Sequence, residues 1–230
     1  MSEEKPVVNR ELVLPGEVVD TTGLRPGVGT YAENGVIYAA LLGIKNISKN
    51  FVNVFPLKGR YIPRYGDKVI GIIIETGPNS WLVDINSPYP APLHVNEVPW
   101  KVDFGDTPSY LKVGDTVLVK VEGVDEAKHV RVSMKEPGLR KLSGGNIIEI
   151  PASKVPRVIG KGGSMINLLK EYTGCRIFVG QNGRIWIDGD VDGIALAIRA
   201  IKMIDEEAQT LGLTDKIKAF LEKESKIRRK

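Results

Sequence analysis

Hydrophobic and polar positions alternate over much of the first 136 residues, then take up a helical spacing in the last third of the chain. Between 11 and 58 three short apolar runs stand out: Glu11–Val19, Gly35–Leu42 and Asn50–Pro56. Turn formers separate them, with Gly27-Val28-Gly29 in one gap and Asn34-Gly35 in front of the second run. Asn-Gly supplies two residues that accept positive φ, as a tight hairpin requires, so a β-hairpin is predicted there.

From 59 to 136 five strands are predicted: Asp67–Thr76, Trp81–Ile85, Ala91–Val95, Thr116–Glu122 and His129–Lys135. In the last of these Val130, Val132 and Met134 share one face, while His129, Arg131 and Ser133 share the other. Five short strands with regular turns predict a small barrel. A Pro/Gly linker (137–145) follows.

The spacing then predicts a strand over Asn146–Ile150 and short helices over Ser153–Ile159 and Ser164–Tyr172. Strands Cys175–Val179 and Arg184–Ile187 flank the turn Gly180-Gln181-Asn182-Gly183. A longer helix opens at Asp190, with Ile194, Ala197, Ile198, Ile201 and Ile204 on one stripe. Gly212 ends it, and Thr214 opens a last amphipathic helix bearing Ile217, Phe220 and Leu221. Residues 1–10 are polar and expected to be disordered. The expected fold class is mostly β with an α+β C-terminal domain. Its parts are a small N-terminal β domain (1–58), a five-stranded barrel (59–136), an α+β module (146–211) and a basic C-terminal tail (212–230).

The net charge of +4 is unevenly placed. Residues 216–230 carry seven basic residues against Glu222 and Glu224, a net +5, so the first 215 residues sum to −1. A basic tail suits a polyanionic partner, or is simply a solvated end. A single cysteine, Cys175, excludes a disulfide framework and any multi-cysteine zinc site; with only His94 and His129 beside it, no metal centre is expected. No apolar run is long enough to span a bilayer and the N-terminus is charged, so a cytoplasmic protein without a membrane partner is expected.

The sharpest motif is Val158-Ile159-Gly160-Lys161-Gly162-Gly163-Ser164-Met165-Ile166. Two helices meet at Gly160–Gly163. Glycines let the main chain turn sharply and approach a ligand without a Cβ in the way. The free N–H groups at the start of the second helix suit a phosphate, with Lys161 and Arg157 as nearby cations. In its order strand–helix–GxxG–helix–strand–strand–helix (βααββα), this region resembles the KH domain. That resemblance implies a loop clamping about four nucleotides of single-stranded RNA. The Gly-x-x-x-x-Gly-Lys-Ser/Thr spacing of a nucleotide-triphosphate loop is absent.

The barrel resembles the OB-fold of the ribosomal S-one type. The matching residues are Gly66-Asp67-Lys68-Val69-Ile70-Gly71, Trp81–Ile85, Pro92–Val98, Gly114-Asp115-Thr116-Val117 and Val130–Lys135. Such barrels stack bases on exposed rings beside cations. Carried over by position, Trp81, His94, Lys120 and either His129 or Arg131 would line that face. The family's first stacking aromatic falls near Pro78 here.

A small β domain, an S-one barrel and one KH module, in that order, resemble the cap-subunit family of the archaeal RNA exosome known as ribosomal-RNA-processing protein four. The stretches Val13–Glu17 and Gly29–Gly35 fit the same family. The resemblance implies three caps on a hexameric ring of RNase PH-type subunits. The ring degrades RNA from its 3′ end with phosphate; the cap recruits adenosine-rich RNA and docks through its N-terminal β domain. No catalytic constellation or cofactor is expected: the acids are scattered, often beside turn glycines (Asp67, Asp115, Asp188, Asp190). The alternative is a transcription- or ribosome-associated RNA-binding factor built from the same modules.

Overall fold

The computed structural model describes residues 11–48, 50–56, 59–126, 128–208, 210 and 212–228, in two compact units, 1–59 and 60–230. The segment 1–10, expected to be disordered, lies outside the described residues. No helix among them is long and apolar enough to cross a membrane.

The first unit holds β1 (Leu12–Val13), β2 (Val18–Asp20), β3 (Arg25–Pro26), β4 (Thr30–Glu33), β5 (Val36–Ala39), β6 (Gly43–Ser48) and β7 (Phe51–Pro56). They form two sheets, ordered β1-β6-β7-β3 and β2-β5-β4. The run expected as one strand from Glu11 to Val19 is two strands in different sheets, because Pro15-Gly16 breaks it with Gly16 at φ 83°. The Asn34-Gly35 hairpin forms, with φ values of 50° and 79° and Glu33 paired with Val36. Val13, Val19, Ile37, Ala39, Val52 and Val54 make the core. Strand β6 was not anticipated, since Lys45, Asn46 and Ser48 dilute its apolar positions.

The second unit begins with β8 (Lys68–Thr76), β9 (Ser80–Asp84) and β10 (Ala91–His94), then a one-turn helix α1 (Thr107–Tyr110), β11 (Thr116–Val124), β12 (Val130–Ser133) and β13 (Arg140–Leu142). The sheet runs β12-β10-β9-β8-β11-β13, and a further pairing of β12 with β11 closes it into a five-stranded barrel. Alternation sends Val69, Ile73, Val83, Leu93, Val117, Val119, Val121, Val130 and Val132 inward. Each such side chain contributes about 2 kcal/mol on burial, which outweighs what exposed ion pairs supply. The stretch expected as linker contributes β13, which pairs with β11 outside the closed ring.

The rest is β14 (Asn146–Glu149), α2 (Val155–Ile159), α3 (Ser164–Thr173), β15 (Arg176–Val179), β16 (Arg184–Asp188), α4 (Val191–Glu206) and α5 (Leu213–Arg228). The sheet order β14-β16-β15 is antiparallel throughout. Pro156 sits in the first turn of α2, where its missing N–H costs nothing. Asp190 caps α4 by accepting from the Gly193 N–H at 3.4 Å. The basic tail is an integral helix: Leu213, Ile217 and Leu221 are buried in the same core as Leu169 and Ile201. Part of its charge is spent on Glu207, which takes Lys216 at 2.6 Å.

The barrel and the β14-β16-β15 sheet are joined by buried polar contacts. Asn182 is fully buried in the β15–β16 turn; its amide donates to the carbonyls of Ile70 (2.7 Å) and Ile85 (2.9 Å) and accepts from the Ile70 N–H at 3.3 Å. Arg184, 4 % exposed, donates to the Asp84 carbonyl and carboxylate and to Glu149. The Gln181 N–H donates to the Lys68 carbonyl at 2.9 Å. Gly183, at φ 84°, lies so close to the Ile150 carbonyl that a Cβ would stand 2.1 Å from its oxygen, so only glycine fits.

Candidate nucleic-acid interface

The loop between α2 and α3 is built from main-chain geometry. Gly160 takes φ 75°, and a Cβ there would meet the Met165 nitrogen at 2.6 Å, so glycine is what lets the two helices approach. Gly162 differs: it is left-handed (φ 61°) yet has nothing within 4 Å of a Cβ position, so its outer side is open. Gly163, also left-handed, precedes Ser164 at the start of α3 and cannot supply a capping side chain. Lys161 and Arg157 are exposed beside it. Below the loop Val158 and Met165 are buried, with Ile159 and Ile166 packed alongside. The loop therefore offers open main chain, a helix start and two cations.

The barrel surface differs from the expectation at its most prominent residue. Trp81 is fully buried, and its indole N–H donates to the carbonyls of Thr107 (3.2 Å) and Leu111 (3.1 Å). Strand alternation puts it on the inner side of β9 with Val83, so Trp81 is a core residue and cannot stack a base from solvent. His94 is exposed at the end of β10, where its Nδ1 accepts from the Asn96 N–H at 3.1 Å and caps the turn that follows. Arg131 is exposed within β12, whereas His129 lies just before the strand with its Nδ1 2.8 Å from Asp125. The register pairs Leu93 with Val132, which puts His94 and Arg131 on the outer side of neighbouring strands.

Lys120 points outward from β11 but is not a free cation. It lies 3.0 Å from Glu136 and 3.6 Å from Glu122, and Lys68 also binds Glu136. The Glu136 hydrogen bond raises the Lys120 pKa, and in return Lys68 and then Lys120 hold the Glu136 carboxyl below the usual range. Tyr65 is not singled out by the sequence pattern. The residue is 73 % exposed, with the Lys120 ammonium 5.9 Å from its ring centroid, an aromatic plane beside a cation. An exposed tyrosine ahead of the Gly66-Asp67 turn is a weak signal, and its cation lies 55 positions away. Among the described residues, no group of three or more His, Cys, Asp or Glu could hold a metal ion.

Three family models match in the order the fold suggests. The model described as the exosome complex exonuclease RRP4 N-terminal region matches residues 12–48, the RRP4 S1 domain matches 60–105 and the KH domain matches 146–203. Exosome complex component Rrp4 of Thermoplasma volcanium is 51 % identical over 213 residues, covering 92 % of this chain and 90 % of the relative. The Pyrococcus abyssi protein of the same name is 44 % identical over 94 % of this chain and 83 % of its own length. A crystal structure described as an exosome complex RNA-binding protein aligns with a TM-score of 0.67 at 45 % identity, covering 74 % of this chain and 99 % of that one. With its three modules in that order and relatives alike over nearly its whole length, the chain belongs to the Rrp4 family of exosome complex components.

Proposed function

We propose that this exosome component is a non-catalytic RNA-binding cap. It recruits single-stranded RNA, favours adenosine-rich 3′ ends, and feeds the strand to a phosphorolytic 3′-to-5′ ring of RNase PH-type subunits. Three copies sit on each hexameric ring, in the cytoplasm. The observation that carries the reading is the open left-handed Gly162 in the loop just before α3, next to exposed Lys161 and with exposed Arg157 on the preceding helix. Main-chain amides and cations in that arrangement suit a phosphodiester backbone, and no side chain obstructs it. On the barrel, His94, Arg131 and the Tyr65–Lys120 pair supply planar groups and charge.

The N-terminal unit supports the docking role. Register pairs Leu12 with Ile44 and Ile44 with Phe55, an apolar row across three strands whose ends are 56 % and 48 % exposed. Apolar side chains aligned on a small sheet are a contact surface for a protein partner. The test is to measure ring binding and oligoadenylate decay with and without the chain. The reading stands if the chain raises the affinity of the ring for RNA and has no nuclease activity alone. It fails if the isolated chain cleaves RNA or the assembled complex binds RNA no better than the ring.

A further inference from the structure

Outside those surfaces lies a notch of about 220 Å³ where β13 passes the KH sheet, lined by Arg140, Lys141, Leu142, Ser143, Arg176 and Trp186. Strand alternation explains its make-up. On β16, Ile185 and Ile187 enter the KH core, while Trp186 turns to the other side and joins the barrel cluster. Register puts Phe178 opposite Trp186, so Arg176, two residues earlier on β15, leaves the sheet on that same side. Its guanidinium stands 5.8 Å over the Trp186 ring, and the ring is fixed by an N–H donated to the Gly144 carbonyl at 2.8 Å. Arg140 and Lys141 enter from β13, a sheet-edge strand whose single partner among the described residues is β11.

Among the described residues, two of the three cations are ion-paired and the third is not. Arg176 pairs with Asp188 and Lys141 with Asp115, while Arg140 makes no ion pair among the described residues. Arg176 keeps 73 % of its side chain exposed, and ion pairs at that exposure are worth little, so the guanidinium can turn to a phosphate at small cost. An arginine plane held on an aromatic floor is also a surface on which a base stacks.

We infer that this notch holds a phosphodiester of the RNA strand, a contact point at the barrel–KH junction separate from the glycine loop. The inference rests on the RNA-binding reading above. The barrel and the KH sheet are locked together by Asn182 and Arg184, so the notch is a fixed mark along the strand's path.

The test uses the full chain and a 20-nucleotide oligoadenylate, titrated across a salt series. Arg140→Gln with Arg176→Gln removes both guanidinium groups from that one phosphodiester, and losing one phosphate contact on a single strand flattens the log–log salt slope by about 0.7, which is the drop expected. Arg140→Gln alone breaks no ion pair and should lose about half as much, keeping the test valid if the double variant folds poorly. Affinity at low salt should fall at least about tenfold in the double variant. A control pair on exposed helix positions, Lys170→Gln with Lys202→Gln, should change neither quantity by a comparable amount. Unchanged slope and affinity in the Arg140 variant, or an equal loss in the control pair, overturns the notch while leaving the cap reading intact. A wild-type chain that ignores RNA overturns both.

Discussion

The side-chain amide of Asn182 pairs with both the N–H and the carbonyl of Ile70, a residue 112 positions earlier. The last registered pair between β8 and β9 is Ile72 with Asp84, so the main chain of Ile70 lies beyond the end of that ladder. Asn182 fills the gap with a strand-like contact and adds the Ile85 carbonyl. One amide thus completes a barrel seam and anchors a second fold to it. Asn182→Ala should leave the Ile70 N–H and two carbonyls short of partners in a buried place, at about 3 kcal/mol in total. Urea unfolding should show that loss, and the barrel and KH transitions should separate; an unchanged midpoint would mean water replaces the amide.

The glycine loop gives a sharper functional test. Gly162→Asp keeps a residue that tolerates the left-handed region better than most and projects into open space, so the fold should survive. The new carboxylate would face the proposed phosphate path. RNA affinity should fall about tenfold or more, equivalent to at least about 1.4 kcal/mol, in a filter-binding titration. Equal affinity would confine the loop to joining two helices.

If the N-terminal unit docks as proposed, its apolar row separates docking from RNA binding. Leu12→Lys with Phe55→Lys changes two exposed side chains and should leave the melting temperature within a few degrees. Co-purification with the RNase PH-type ring should be lost, while oligoadenylate affinity of the free chain stays the same. Retained ring binding would move the docking surface elsewhere.

The Lys68–Glu136–Lys120 cluster predicts an acid limb. The Glu136 carboxyl titrates below its ordinary value of 4.5 in the folded state, chiefly because Lys68 and Lys120 bind its charged form. A group with a depressed folded pKa gives stability that is fully present above the unfolded value and lost as pH falls through the folded one. Wild-type stability should therefore decline below about pH 4.5, and Glu136→Gln should be less stable at neutral pH with a shallower decline. Thermal melts at several pH values would check it; parallel curves would remove the cluster from the acid response.

How far the sequence could be read follows from the range of each interaction. Barrel strands and KH helices were legible because alternation and helical spacing are local, and the loop was legible because Gly160–Gly163 are consecutive. Trp81 is misplaced by the sequence pattern because period two says which residues share a face, not which face is inside; that depends on Thr107 and Leu111, 26 and 30 positions later in sequence. Asn182 and Arg184 looked like ordinary hairpin residues, since their partners Ile70, Ile85 and Asp84 lie about a hundred positions away. The Tyr65–Lys120 pair and the Arg140–Arg176 notch are likewise products of closure.

Helix α5 has a practical consequence for anyone trimming this protein. The KH match stops at residue 203, inside α4, yet Leu213, Ile217 and Leu221 seal the far side of that helix and of α3. A shortened form ending near the match would bare a greasy stripe and clump in the test tube, mimicking a failure to bind RNA. Expression trials should carry the chain through at least Arg228.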